Sequence, residues 1–411
     1  MSTQEFNTLH ETKKNLRKYK SISGKLHRKR GLYTIIICFS LLFSFNIGTR
    51  YFFHEHINGF AEWRVSESQK YLYAEAEDSY SLGYLTGTQL WREIWSLKVL
   101  LISMAPLYQS SYSELKELSS KYLDFIPDNI IEEMKGMARG VSAVSGFFIR
   151  FDDILVQNVW YDAFYGQILP SSIGPLGCTA IGVRDAENET ILSQNFDLNG
   201  PFAKTLSFVQ HKLPGKPTIF GLRLGGGINL PIAKTSQNVS VLVTLVQTNF
   251  LANFTQPVLI RTRNALEQSK DALSFYSNFY ENSQESNNCG FNLIITDPNR
   301  IIGVETCPNG TILQESDLIV KTNTYSNPMW QSYLLNQTYS KERQNYATEY
   351  IQDCIDKQNI SENCLLSLLK VDPLICQRAS NLKESETLAY FTSSYFGLGN
   401  LVDTKLGNIP I

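Results

Sequence analysis

Gly177-Cys178-Thr179-Ala180-Ile181-Gly182-Val183, a polar turn over Asp185 to Thr190, and then Gln194-Asn195-Phe196-Asp197 form the stretch from which the rest of the chain is best read. Ahead of it the pattern is mainly helical from about Glu67 to Phe164. Tyr71 to Met104 has apolar residues at helical spacing, interrupted by Gly83 and Gly87, and Asn129 to Met137 follows Pro127-Asp128 as a helix start and stops before Gly140. Asp152 to Phe164 reads as a third, buried helix, and Gly174-Pro175-Leu176-Gly177 breaks the chain. Behind it the period changes to two: Thr179 to Val183, Ile191 to Phe196, Leu206 to His211, Thr218 to Leu224 and Val239 to Val246 read as strands separated by turn residues. Cys178 therefore sits where the character of the chain changes. We read it as a nucleophile that becomes a new N-terminus.

The polar turn lies midway between positions 178 and 197, so symmetric antiparallel pairing sets Asp197 directly opposite Cys178, with Cβ atoms about 5 Å apart. A carboxylate there raises the pKa of a thiol, so the pairing makes chemical sense if it serves an ammonium group instead. A free α-amine on Cys178, with an ordinary pKa of about 7.7 to 8.0, would supply that group and a base.

The rest of the chain offers few other bases. Of five histidines, His10, His27, His54 and His56 lie in or beside the N-terminal apolar segment, leaving His211 alone in the body. It alternates like an exposed strand position, which argues against a histidine-dependent hydrolase or a catalytic zinc site. A formal net charge of -2 excludes a global basic field, so no nucleic-acid partner is expected. No Walker loop or dinucleotide fingerprint occurs, and neither a cofactor nor a metal is called for; Gly225-Gly226-Gly227 lacks the flanking motif of a phosphate cradle.

Four segments follow. Residues 1–30 are a basic cytoplasmic tail; residues 31–53 contain the apolar run Leu32 to Ile47, which reaches Phe53 if Arg50 snorkels. That length spans a bilayer with the positive flank inside, so an uncleaved signal anchor is preferred to a cleaved signal peptide. The body is then lumenal or extracellular in a single-pass type II arrangement, in an endomembrane or lysosome-like compartment. Residues 54–177 and 178–411 would be its two parts. Sequons at Asn188, Asn238, Asn253, Asn309, Asn336 and Asn359 all fall on the translocated side. Cys289 and Cys307 bracket a hairpin around Asp297-Pro298-Asn299-Arg300 and are expected to pair, while Cys354, Cys364 and Cys376 allow one more bridge. Helices are expected near Val258 to Glu267, Asp271 to Tyr280, Glu342 to Cys354 and Glu362 to Leu369, with a strand near Leu318 to Lys321 and a final strand pair from Thr387.

Several short motifs, in order, resemble the isopenicillin-N acyltransferase family of N-terminal nucleophile (Ntn) hydrolases. They are Glu133-Met134-Lys135-Gly136-Met137-Ala138-Arg139-Gly140, Gly177-Cys178-Thr179, Gln194-Asn195-Phe196-Asp197, Phe291 to Asp297 with Gly303-Val304-Glu305, Thr322-Asn323, and Ser340-Lys341-Glu342-Arg343. The Cys-Thr start and the Asn-Phe-Asp box also resemble acid ceramidase and N-acylethanolamine amidase relatives. The resemblance implies an α+β fold, an αββα four-layer sandwich made as a precursor and cut between Gly177 and Cys178 into α and β chains. It implies that Asp197 orients the amine and nucleophile, that Asn292 donates to the oxyanion, and that Arg343 holds charge near the site. The acyl donor would be an N-acyl small molecule, a lipid amide or a thioester, with water or an amine as acceptor. Departures fall at Ala233 to Asn238, at Phe196 where the family carries Trp, and at Lys321 and Thr324 where a His flanks the Thr-Asn pair. These concern the substrate side. A catalytically silent binding ectodomain is the alternative from another class.

Overall fold

A computed structural model describes residues 56–66, 69–168, 177–198, 200–228, 231–281, 289–335, 338–371, 374–375, 386–393 and 401–402. The basic tail, the anchor at 31–53, Asn336 and Cys376 lie outside them. Among the described residues no helix is long and apolar enough to cross a membrane.

The body opens on a hairpin, β1 (Gly59–Ser66) and β2 (Gln69–Ala76). This corrects the helical reading from Tyr71. Leu72 pairs with Trp63 and Ala74 with Ala61 in an unbroken antiparallel ladder, and the helical spacing begins only after Ala76. Five helices follow: α1 (Ser79–Gln89), α2 (Trp91–Met104), α3 (Tyr112–Ser120), α4 (Asp128–Ser145) and α5 (Phe151–Gln167). Asp78 caps α1 by accepting from the Ser81 N–H at 2.7 Å. The glycines read as interruptions are contact points. A Cβ on Gly83 or Gly87 would strike the Glu133 or Met137 carbonyl, and one on Gly136 or Gly140 would strike that of Tyr80 or Tyr84. Two small-residue stripes thus let α1 and α4 cross backbone to backbone, and α4 runs through Gly140 to a left-handed Gly146 (φ 70°).

The chain then alternates strands and helices: β3 (Thr179–Arg184), β4 (Thr190–Leu198), β5 (Leu206–Lys212), β6 (Ile219–Leu224), β7 (Ile232–Thr235), β8 (Ser240–Val246), α6 (Val258–Gln268) and α7 (Ala272–Glu281). It continues with β9 (Gly290–Asp297), β10 (Arg300–Cys307), β11 (Gly310–Glu315), β12 (Leu318–Lys321), α8 (Thr338–Asp356), α9 (Glu362–Leu369), β13 (Glu386–Ser393) and β14 (Leu401–Val402). One sheet has the order β1-β2-β5-β6-β7-β8-β9-β10-β11 and the other β12-β3-β4-β13-β14. Ala180, Leu192 and Phe196 of the smaller sheet share a core with Ile294 and Ile301 of the larger, which also takes Phe275 and Phe279 of α7. Ile181, Val183 and Ile191 turn the other way, onto Ala347 and Ile351 of α8 and Leu365 and Leu368 of α9. The layers are helix, sheet, sheet, helix, of mixed α+β content.

The β3–β4 register corrects the expected pairing. Asn188 adopts a left-handed conformation (φ 65°), and its N–H closes on the Asp185 carbonyl at 3.1 Å. This three-residue turn pairs Arg184 with Thr190 and Thr179 with Asn195. Continued by one step, the ladder puts Phe196, not Asp197, across from Cys178. An asparagine at positive φ can absorb that extra twist without the cost a branched residue would meet.

The expected Cys289–Cys307 bridge does not form: both are free and buried. Thr306 pairs with Phe291, so Cys307 falls opposite Gly290 and Cys289 lies one position beyond, which points the two thiols to opposite faces. Cys289 donates to Asp162 Oδ1 at 3.6 Å, whereas Cys307 packs with Tyr325 and Trp330. Cys354 and Cys364 instead join α8 to α9. Asn188, Asn238, Asn253, Asn309 and Asn359 all expose their side chains. His211, expected at the surface, is 2% exposed: β2 makes β5 an inner strand, and Arg263 of α6 lies near the imidazole.

Candidate active site

Cys178 stands at the entry to β3, 6% exposed. Its sulfur accepts from the Asp197 N–H at 3.5 Å and lies 3.7 Å from the Asp197 carbonyl oxygen. The register shift therefore moves Asp197 one residue along β4 without taking it away. Burial, and then the Asp197 charge, push the thiol up to about 12; the Asp197 N–H, Arg343 and Asn323 pull the other way. The thiol is therefore protonated at neutral pH.

Arg343 is delivered by the first turns of α8 and is fully buried. That burial excludes a solvated position on the outer face of the helix. Its Nη1 donates to the Gly177 carbonyl, to the Cys178 carbonyl at 2.7 Å and to Thr179 Oγ1 at 2.9 Å. Its Nη2 donates to Asn323 Oδ1 at 2.8 Å and to Ser340 Oγ at 3.2 Å. Burial lowers its pKa, and the charges of Asp197 and Cys178 oppose that. A guanidinium suits this place because its planar fork can serve two chain segments at once, the one entering β3 and the one leaving β12.

Asn292 differs from its expected role. Its Nδ2 donates to the Thr322 carbonyl at 2.9 Å and the Thr324 carbonyl at 2.8 Å, so both amide hydrogens are committed to backbone. It braces the segment between. Asn323, inside that segment, is the asparagine at the sulfur: it donates to the Leu245 carbonyl at 2.7 Å, accepts from Arg343 and reaches Cys178. Thr322-Asn323 was part of the motif order, yet nothing in the spacing of the sequence says which asparagine faces the cysteine.

A cavity of about 20 Å³ adjoins these groups, with Cys178, Asp197 and Asn323 on one side and Tyr161, Leu245, Leu259 and Phe291 as apolar walls. It has room for about one water molecule. Asp197 is the one carboxylate in that lining. Among the described residues no group of His, Cys, Asp and Glu could hold a metal ion.

No family model matches the chain, and no curated protein matches it. Solved structures do. The N-acylethanolamine-hydrolyzing acid amidase ortholog of Caenorhabditis elegans aligns over 53% of this chain and 92% of its own, at 15% identity and a TM-score of 0.40. Two variants of the conjugated bile acid hydrolase of Clostridium perfringens align over 53% of this chain and 85% and 86% of theirs, at 12% identity and TM-scores of 0.42 and 0.41.

Proposed function

We propose that the chain is the precursor of an N-terminal-cysteine amidohydrolase or acyltransferase that cuts itself between Gly177 and Cys178. The observation that carries the reading is the Arg343 guanidinium on the Gly177 carbonyl oxygen. A donor there polarises the carbonyl that the neighbouring thiol must attack, and it stabilises the oxyanion of the tetrahedral adduct.

In the first step the Cys178 sulfur bonds to the Gly177 carbonyl carbon, the C–N bond breaks, and the proton from sulfur ends on the new α-amine. Asp197 is placed to carry that proton. Water then cleaves the thioester, leaving a carboxylate at Gly177 and a free thiol at Cys178. The second phase uses what the first released. The α-amine takes the thiol proton as it attacks an acyl amide, Asp197 holds the resulting ammonium, and Asn323 donates to the substrate oxyanion. The substrate C–N bond breaks as the ammonium returns its proton to the leaving amine, and the resulting acyl-enzyme passes its acyl group to water or an amine.

The apolar side chains beside the sulfur match an acyl group in chemistry, so a lipid amide or other N-acyl small molecule is the proposed substrate class; the space of about 20 Å³ does not hold one, so the reading requires that cleavage ahead of Cys178 opens it. The 31–53 segment would hold this body on the lumenal or extracellular side of a membrane, and the exposed sequons are open to glycosylation there. A reducing gel after glycan removal tests the reading. Two pieces are expected, the larger beginning at Cys178, and Cys178→Ala should leave one intact chain. Processing of the alanine variant at the wild-type rate would sink it.

A further inference from the structure

A second cavity, about 300 Å³, opens between the β10–β11 hairpin and the loop after β12. Its lining includes Glu305, Ile312, Gln314, Lys321, Ser326 and Asn327, none of which lines the cavity at Cys178. The volume falls at the lower end of small-molecule sites.

Lys321 is 2% exposed at the base of this cavity, with its ammonium 2.7 Å from Glu305 Oε1. The Glu305 carboxylate is already well served. Its Oε1 also accepts from the Ser326 N–H at 2.7 Å, and its Oε2 from the Asn327 N–H at 3.1 Å. Lys321 is less so: besides Glu305 it makes one longer contact, to Ser326 Oγ at 3.4 Å. An ammonium has three hydrogens to give, so one remains for the cavity. Ser326 Oγ accepts from Gln344 as well, at 2.9 Å, which leaves its own hydrogen to donate. The Asn327 oxygen accepts from the Met329 N–H at 2.9 Å, which leaves its amide hydrogens.

The unspent hydrogen-bonding capacity around this space is thus mainly that of donors. The Lys321 and Glu305 charges offset each other, so what the cavity offers a ligand is donated hydrogens rather than net charge. Ile312 adds an apolar wall.

We propose that this cavity is a second ligand site, for a small molecule bearing a carboxylate and a short apolar portion. The carboxylate sits on Lys321 Nζ, with the Ser326 hydroxyl and the Asn327 amide as further donors and the apolar portion against Ile312 and the side chain of Gln314. The site does not depend on chemistry at Cys178.

Calorimetric titration of the full-length protein with hexanoate and with hexylamine tests it. Hexanoate binds saturably and hexylamine does not. Lys321→Met weakens hexanoate about tenfold or more, the scale of a lost charge-assisted hydrogen bond, and Gln314→Ala weakens it about threefold. Gln314 is exposed, so its variant keeps the test decisive even if Lys321→Met fails to fold. Equal binding of hexylamine overturns the proposal. So does hexanoate affinity that Gln314→Ala leaves unchanged, which would place the ligand elsewhere.

Discussion

Arg343 donates to the carbonyl oxygen of Gly177, a residue 166 positions earlier in the chain, and so ties the start of α8 to the peptide bond ahead of Cys178. Arg343→Ala removes that donor. If the contact serves self-cleavage, conversion of precursor to two chains slows roughly 10²- to 10³-fold, the usual cost of losing one oxyanion donor. Arg343→Lys keeps the charge and loses the fork, and should process at an intermediate rate. The half-time of conversion on a gel reads this. A variant that loses Tm but keeps the wild-type half-time would leave Arg343 with a packing role only.

The two buried asparagines should separate by readout. Asn323 reaches the sulfur, so Asn323→Ala should lower kcat of the processed enzyme roughly 10²-fold with a smaller change in Tm. Asn292 holds two carbonyls of the same segment, so Asn292→Ala should mainly lower stability, by about 1–3 kcal/mol for the two acceptors it abandons. Paired kinetics and urea unfolding decide it. The reverse pattern, activity lost at 292 and stability at 323, would restore the assignment read from the motif.

Legibility in the sequence followed how local each feature is. The helices at Val258–Gln268 and Glu362–Leu369 and the strand at Leu318–Lys321 follow from periodicity and turn residues, and they fall where expected. Cys178 stood out through its flanking glycine and the change of period. The β3–β4 register did not, because one left-handed residue, Asn188, shifts every pair by one, and no count of turn residues reveals a backbone angle. The Cys289–Cys307 reading failed for the same reason, since a single step of register sends the side chains to opposite faces. Choosing between Asn292 and Asn323 needed contacts between β9 and the segment after β12, which only the packed fold supplies. His211 looked exposed because strand alternation identifies a face but not what covers it.

The crossing of α1 and α4 makes a sharper stability test than any single apolar residue. A Cβ on Gly136 would run into the Tyr80 backbone, which cannot rotate aside as a side chain can. Gly136→Ala should therefore cost about 3 kcal/mol or more, despite the better helix propensity of alanine. Gly146, with open space around it, is the control: its alanine variant meets only the strain of its φ of 70° and should cost about 1 kcal/mol. Urea midpoints compare them. Equal costs would mean that the helices separate freely.

Two buried groups should give this protein opposing pH dependences. His211 sits at its strand position near Arg263, Arg223 and Lys216, with Glu133 and Glu267 pairing those cations, and burial first, then the three positive charges, hold its pKa well below 6.5. The folded imidazole refuses a proton that the unfolded one accepts. Its contribution is therefore present above pH 6.5 and is lost as the pH falls. Asp162 faces Arg261, Cys289 and the Val258 N–H, and burial raises it from 3.8 to about 7. Its folded form keeps a proton that the unfolded form gives up, so its contribution is present below pH 3.8 and is lost as the pH rises toward 7. Between about pH 4 and 6.5 the two slopes oppose, each worth up to about 1.4 kcal/mol per pH unit. His211→Gln should then gain about 2 kcal/mol relative to wild type between pH 7 and 5, and Asp162→Asn should become the more acid-labile variant. Urea unfolding from pH 4.5 to 7 measures both. Variants whose stabilities run parallel to wild type across that range would mean that neither group titrates as its burial requires.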